Sequence, residues 1–293
     1  MKYTCCFNVT TLLLCLFTAF HVLAKQPEPL LVVHQQRESP HDTRVNYVID
    51  LLKTALEKTV ETDGPYLLRP SRVKMTPSRY HENIRAGGEP NVIVALASKA
   101  TAEELLPIRI PIRKGLYGYR LFLIDQDNQA RFSQVKTLAD LRQFNAGLRK
   151  GWKDIDVLNY NGFQVTEGNS YEGMFRMLVA GRFDYFSRSV IEIYEELASR
   201  KQLYPKMVVE ETILLYYPLP LYFVVNKADK KLAARLEKGL NIMIADGSFD
   251  EIFCKYSCKD LERVKVEQRK VFRIENPLLE EKVPYDRKEL WWH

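Results

Sequence analysis

The sequence predicts an α/β protein built as two lobes around a hinge, and three observations predict it. Strand-like and helix-like segments alternate along the chain, the pattern of α/β architecture. The run NVIVALA (91–97) has no polar face, as strands of a parallel sheet covered on both sides require. The chain leaves a first set of elements near Ile124 and comes back near Leu221, with no Pro-, Gly- or Ser-rich linker at either crossing. Two crossings without a linker imply a hinge rather than beads on a string. The expected division is residues 25–124 with 222–293 as lobe 1, and 125–221 as lobe 2.

Residues 1–24 read as a targeting leader. Lys2 gives a thin basic start, and TLLLCLFTAFHV is an apolar run too short to span a bilayer comfortably. Val22 and Ala24 fit the small-residue pattern before a cleavage site, and Leu14 before Cys15 is too large for lipoprotein processing. No later stretch reaches the ~18 uninterrupted apolar residues of a membrane span. The alternative, an uncleaved N-terminal anchor, is disfavoured by Thr18 and His21, which interrupt the apolar run; cleavage leaves an exported chain of about 269 residues, enough for two lobes of ordinary size.

In the first lobe Leu30–His34 is a buried strand. Asp42 caps a helix whose core face carries Val45, Val48, Ile49, Leu52 and Leu56. A second helix follows Pro77, and Gly118–Ile124 (GYRLFLI) closes the lobe as a strand. In the second lobe Thr137–Phe144 is a short helix, Ala146–Arg149 a short strand and Trp152–Asn159 a helix. Leu221–Val225 leads back. Asp229 then caps a long helix bearing Leu232, Leu236, Leu240, Met243 and Ile244, stopped at Asp246-Gly247. Phe249–Tyr256 is a short helix, and the aromatics of the closing LWWH should pack back on the body.

Segment 170–197 carries the most information. Tyr171, Met174, Phe175, Leu178 and Val179 make one apolar helical stripe. Asn169 is the expected N-cap, with Glu172 completing a capping box, and Gly181 supplies the left-handed turn that ends the helix. Phe183–Phe186 is then a strand that hands over to the next helix at Arg188. Ligands collect at such strand ends in open α/β sheets.

Charge and cysteine content narrow the function classes. The net charge is +6, falling to +5 without Lys2, with no basic run, which disfavours a nucleic-acid partner. Cys5, Cys6 and Cys15 leave with the leader. Cys254 and Cys258 remain at helical i,i+4 spacing, and an oxidising compartment permits either a disulfide or two independent thiols. Two cysteines with no nearby histidine are half a zinc site, so no metal centre is expected. No phosphate loop or Ser-His-Asp order is present, and no cofactor is expected.

Four motifs carry a family resemblance: Glu38-Ser39 with Asp42, Arg44 and Tyr47; PIRIPIRKGLYGYRLFLI (107–124); Gly151, Trp152 and Asp154; and YEGMF followed by GRFDYFSR and Glu192 (171–192). With them the chain resembles the bacterial extracellular solute-binding proteins of family 3, in a branch marked by these motifs. The resemblance implies a two-lobed, type II periplasmic-binding-protein-like fold with an interlobe cleft. It also implies a periplasmic monomer that closes on a small polar solute for a transporter or sensor, without covalent chemistry. Two positions depart from the family pattern. SKATAEELL, after NVIVALA, has no arginine before Arg109, and Ser187-Arg188-Ser189 stands where an aspartate is usual. Both departures weaken the case for an α-amino acid ligand and leave the clamp intact.

The candidate ligand contacts each have a structural alternative. The loop His34–His41 should bring Arg37, Glu38 and Ser39 to the cleft, where Glu38 can accept hydrogen bonds from a cationic or hydroxylated ligand, or simply be solvated. Trp152 is a stacking platform or a core ring, and Asp154 a cap for the following helix. Asn169 and Ser170 offer an anion site at a helix N-terminus, or satisfy that helix's own cap. Tyr171 and Tyr185 are ring contacts or core residues. Arg188, facing the cleft, would bind a carboxylate or phosphate bidentately; otherwise it pairs with Glu192 one turn on. The alternative function is an enzyme on the same scaffold, a cyclohexadienyl-dehydratase-like lyase with Glu38 or Glu192 as general acid or base.

Overall fold

The computed structural model describes residues 1–3, 28–37 and 44–292. Residues 4–27, which hold most of the expected leader, and the loop with Glu38, Ser39 and Asp42 therefore lie outside the described residues. The strands are β1 (Leu30–His34), β2 (Tyr66–Pro70), β3 (Val92–Leu96), β4 (Leu106–Ile108), β5 (Tyr119–Asp125), β6 (Asn145–Arg149), β7 (Gln164–Gly168), β8 (Tyr185–Ser189), β9 (Met207–Val209), β10 (Ile213–Tyr216), β11 (Leu221–Val225) and β12 (Lys270–Arg273). The helices are α1 (Arg44–Glu57), α2 (Val60–Asp63), α3 (Pro77–Arg85), α4 (Lys99–Glu104), α5 (Gln129–Ser133), α6 (Leu138–Leu141), α7 (Asp154–Tyr160), α8 (Tyr171–Val179), α9 (Ile193–Ala198), α10 (Lys230–Asp246) and α11 (Ser248–Val264).

Two sheets result. The first runs β2-β1-β3-β11-β4, and the second runs β12-β10-β5-β8-β6-β7 with β9 paired to β5. β1, β2 and β3 are parallel, as the two-sided apolar runs require, and β11 returns antiparallel between β3 and β4. In the second sheet β6, β7 and β8 are parallel, while β5 runs against β8.

Sheet membership differs from the sequence division at two places. GYRLFLI, read as the last strand of lobe 1, is β5 at the heart of the second sheet, with Leu121, Phe122 and Leu123 fully buried. The crossing therefore comes earlier, between Ile108 and Tyr119. The tail assigned to lobe 1 first adds β12 to the second sheet, pairing Ile213 with Lys270. The apolar run of β5 is readable in the sequence; its partner choice depends on contacts far apart in sequence.

The two crossing segments pack backbone to backbone. A Cβ on Gly118 would fall 2.0 Å from the Tyr217 carbonyl oxygen, so only glycine fits. One apolar cluster joins Val32, Leu51 and Leu236 of the first lobe to Leu121, Met174 and Phe186 of the second, through Ile110, Ile112 and Leu116. A second cluster lies under the second sheet, around Phe122, Phe132 and Tyr185, with Leu96 of β3 packed against it. Helix α11 extends to Val264, two turns beyond the expected Tyr256, and its Arg263 carbonyl accepts a hydrogen bond from Tyr194 of the other lobe at 2.9 Å. Cys254 and Cys258 are disulfide-bonded within it, their Cα atoms 4.6 Å apart.

The tail straps both lobes. Asn276 donates to the Pro218 carbonyl in the second crossing at 2.8 Å. Leu279 bridges to Ser98 just past β3, and Arg109 bonds Glu280 at 2.8 Å. Leu290 is completely buried. No helix among the described residues is long and apolar enough to cross a membrane.

Candidate functional site

The crossings decide which sheet edges face each other. β11 starts at Leu221 opposite Leu96, the last residue of β3, and β4 ends at Ile108. Both crossings thus leave the first sheet on the side where its parallel strands end. They enter the second sheet at Tyr119, next to Arg120, which pairs with Ser189 at the end of β8. β6 and β7 run in the same sense as β8, so all three end on that side too. Two carboxyl edges confront each other across the crossings, the place where open α/β sheets bind ligands.

A buried charge network occupies the edge of the second sheet. Arg188 is 2% exposed and donates twice to one carboxylate: Nε to Glu196 Oε2 and Nη2 to Glu196 Oε1, each at 2.7 Å. Its Nη2 also lies 2.9 Å from Glu192 Oε2. Burial alone would lower the Arg188 pKa, but Glu192 and Glu196 hold it well above its ordinary value. Glu192 Oε1 accepts the Tyr117 hydroxyl at 2.8 Å, and Glu196 Oε1 accepts the Tyr171 hydroxyl at 2.5 Å. Next to them Arg120 meets Asp154 at 2.9 Å, and Tyr217 donates to the same Asp154 oxygen at 2.6 Å. Burial first, then Asp154, pushes the Tyr217 phenol far up, so it stays a donor at neutral pH.

The aromatic residues complete the arrangement. The Arg188 guanidinium carbon stands 4.7 Å from the Trp152 ring centroid, 5.1 Å from Phe186 and 5.8 Å from Tyr171. Trp152 stacks on Phe186 at 6.0 Å with 12° between planes. These cation–π contacts, desolvated on the carboxylate side, fix the guanidinium plane.

The structure brings together Trp152, Tyr171 and Arg188, and places the other expected contacts differently. Arg188 is paired inside the protein, so the anion-binding expectation gives way to its alternative, the ion pair with Glu192. Ser170, not Asn169, caps α8: its Oγ accepts from the Gly173 N–H at 3.1 Å. Glu172 makes no capping box; it pairs with Arg200 at 2.5 Å, because it points along the outer face toward α9. Asn169 and Ser170 are exposed and line a shallow hollow of about 340 Å³ with Arg176 and Arg182. Tyr185 is a core ring, fully buried with its centroid 4.3 Å from Phe122, because β8 begins at Tyr185 and turns that side chain under the sheet. Arg188 lies inside that strand rather than after it. Asp154 bonds Tyr217 and Arg120 instead of capping a helix. Glu38 and Ser39 lie outside the described residues, and Arg37 donates to Asn46 at 2.5 Å.

Sequence reading missed Glu196, Tyr117, Arg120 and Tyr217. Glu196 had a signal, one further helical turn from Glu192; the others come from the crossings, which no local pattern connects to Arg188. On the first lobe's edge, the segment after β3 is occupied by the chain's own tail: Lys99 N–H donates to the Leu278 carbonyl at 3.0 Å and Glu280 N–H to the Ala97 carbonyl at 3.2 Å. Among the described residues no group of His, Cys, Asp and Glu could hold a metal ion.

No family model matches the sequence, and no curated protein matches it. Solved structures do match in fold. An ancestral arginine-binding protein bound to arginine superposes with a TM-score of 0.58 at 18% identity, over 79% of this chain and 99% of that one. The arginine-specific periplasmic binding protein of Salmonella typhimurium gives 0.57 at 15%, over 78% and 99%. A protein of glutathione import through a cystine ABC importer in Streptococcus mutans gives 0.58 at 14%, over 78% and 95%. The chain has the two-lobed, type II periplasmic-binding-protein-like fold.

Proposed function

We propose that this protein is an exported, periplasmic solute-binding protein that captures a small polar solute between its lobes for a membrane transporter or sensor. The observation that carries the reading is the confrontation of the two carboxyl edges across paired crossings. The similar structures bind arginine or serve glutathione import, which supports a small amine-bearing solute. Charge at the second lobe's edge points the same way. Three buried carboxylates, Asp154, Glu192 and Glu196, face two buried guanidiniums, Arg120 and Arg188, leaving an excess negative charge. An ammonium group is favoured there and a carboxylate is not. Trp152, half-buried over Arg188, is the wall against which the solute would pack.

The test is a thermal-shift screen of the mature chain with arginine, lysine, cystine, glutathione and glutamate, followed by X-ray scattering with the best stabiliser. A saturable rise in Tm with a smaller radius of gyration is expected for an amine-bearing solute. Stabilisation by no solute of this class, or stabilisation without compaction, would overturn the clamp. Conversion of the solute to product would replace the receptor with the enzyme.

A further inference from the structure

The tail beyond β12 and the strands entering the second lobe wall a cavity of about 500 Å³. Five rings line it: Tyr119 of β5, Tyr216 of β10, and Tyr285, Trp291 and Trp292 of the tail. They are held in place without filling the space. Tyr119 and Tyr216, opposite each other on paired strands, have centroids 4.7 Å apart, and Trp292 meets Tyr119 edge-on at 5.0 Å. Tyr285 stacks on Trp291 at 5.1 Å. The main chain pins this wall. Trp292 N–H donates to the Lys114 carbonyl and Trp291 Nε1–H to the Pro284 carbonyl, both at 2.9 Å. Trp291 lies against Gly115, where a Cβ would fall 2.7 Å from the ring.

The polar equipment is specific. Burial, then the neighbouring phenols Tyr119 and Tyr285, push Tyr216 up to about 12, and burial also raises Tyr119 and Tyr285, so all three phenols stay protonated at neutral pH. None of the three makes a hydrogen bond among the described residues. Lys114 and Lys288 complete the lining, which contains no carboxylate. The Lys114 ammonium uses two of its three N–H groups, on Asp250 and the Glu289 carbonyl, and retains one.

We infer that this hinge-side cavity is a second ligand site, shaped for an acidic sugar of one or two rings. Aromatic faces stack on the flat C–H face of a pyranose. Phenol hydroxyls, able to donate and accept, match ring hydroxyls. The remaining N–H of the Lys114 ammonium matches a carboxylate. The volume lies in the range of small-molecule sites, about 300–1,000 Å³. A simple anion would leave five rings unused, and a purely apolar guest would strand three hydroxyls. The site is independent of the interlobe reading, since none of its residues belongs to the Arg188 network.

The chain has three tryptophans, so a Trp152→Phe background makes emission report Trp291 and Trp292 alone. This protein is titrated with sodium glucuronate and digalacturonate, and with glucose and benzoate at matched ionic strength. A saturable emission change with either acidic sugar is expected, about tenfold tighter than with glucose. Tyr216→Phe and Tyr285→Ala should each weaken binding about tenfold, the worth of one good hydrogen bond or stacking contact. Tyr285 is 51% exposed, so its removal leaves the fold intact. Lys114→Met, which removes the ammonium whose third N–H is offered to the carboxylate, should reduce glucuronate to the affinity of glucose. No saturation with either acidic sugar overturns the site. Equal affinity for glucose overturns its acidic character, and tighter binding of benzoate overturns the sugar.

Discussion

Arg188 and Glu196 form a two-point ion pair, Nε to Oε2 and Nη2 to Oε1, both at 2.7 Å and both partners almost wholly buried. Burying such groups carries a desolvation cost of several kcal/mol per ion, repaid only by complete pairing. The pair is therefore sensitive to the loss of one member. Arg188→Met strands Glu192 and Glu196 together and should destabilise the fold by about 3–5 kcal/mol, read as a lower denaturation midpoint with unchanged m-value. Replacing all three at once, Arg188→Met with Glu192→Leu and Glu196→Leu, should recover most of that loss. A single variant as stable as the parent would show that the pairing contributes nothing.

How much of this was legible follows from the range of the interactions. The i,i+4 pairing of Arg188 with Glu192 is local and was readable as an alternative, as were Asp229 as a cap and Gly247 as a left-handed stop, which the structure places at φ 84°. β2, β7 and β12 were missed because short strands with mixed faces have no period distinct from a loop, and β4, β9 and the apolar β10 because runs of three or four residues are too short to read as strands. The contacts of Arg120, Tyr117 and Tyr217 arise where two crossings meet, a hundred residues apart in sequence. Their types say nothing about each other until the chain has closed.

Gly118 allows those crossings to touch. Its Cβ position coincides with space held by the Tyr217 carbonyl, a backbone atom that cannot swing aside. Gly118→Ala should lower stability by about 1–3 kcal/mol, the usual cost of overpacking, and should separate the lobes slightly. Thermal denaturation reads the first effect and the radius of gyration the second. Gly88→Ala is the milder comparison, since its Cβ would fall 3.3 Å from the Asn83 carbonyl oxygen, a tight contact relieved by a shift of a few tenths of an ångström rather than an overlap. Equal melting temperatures for the two variants would refute the close approach.

The tail is a structural strap, and Leu290 is its anchor. It is fully buried in the cluster that links the lobes, only three residues from the end of the sequence. Leu290→Ala should cost about 2–5 kcal/mol through lost burial and the cavity left behind. Limited proteolysis should then cut within 276–292 before any other segment. A variant of parental stability and protease resistance would mean that the tail rests on the body without supporting it.

His34, at the end of β1 and 8% exposed, gives a pH dependence of stability. Burial lowers its pKa from the ordinary 6.5, against a weaker opposing pull from its Nδ1 contact with the Gln35 carbonyl at 2.8 Å; Arg37 lowers it further. The unfolded chain therefore takes up a proton near pH 6.5 that the folded chain still refuses. The contribution to stability is complete above that value. It falls as the pH drops below it, levelling off only when the folded imidazole also protonates. His34→Gln should remove that slope. Unfolding free energies of both proteins at pH 7.5, 6.5 and 5.5 decide it: the difference between them must shift steadily in favour of the glutamine variant as the pH falls. Parallel curves would place the acid sensitivity elsewhere in the molecule.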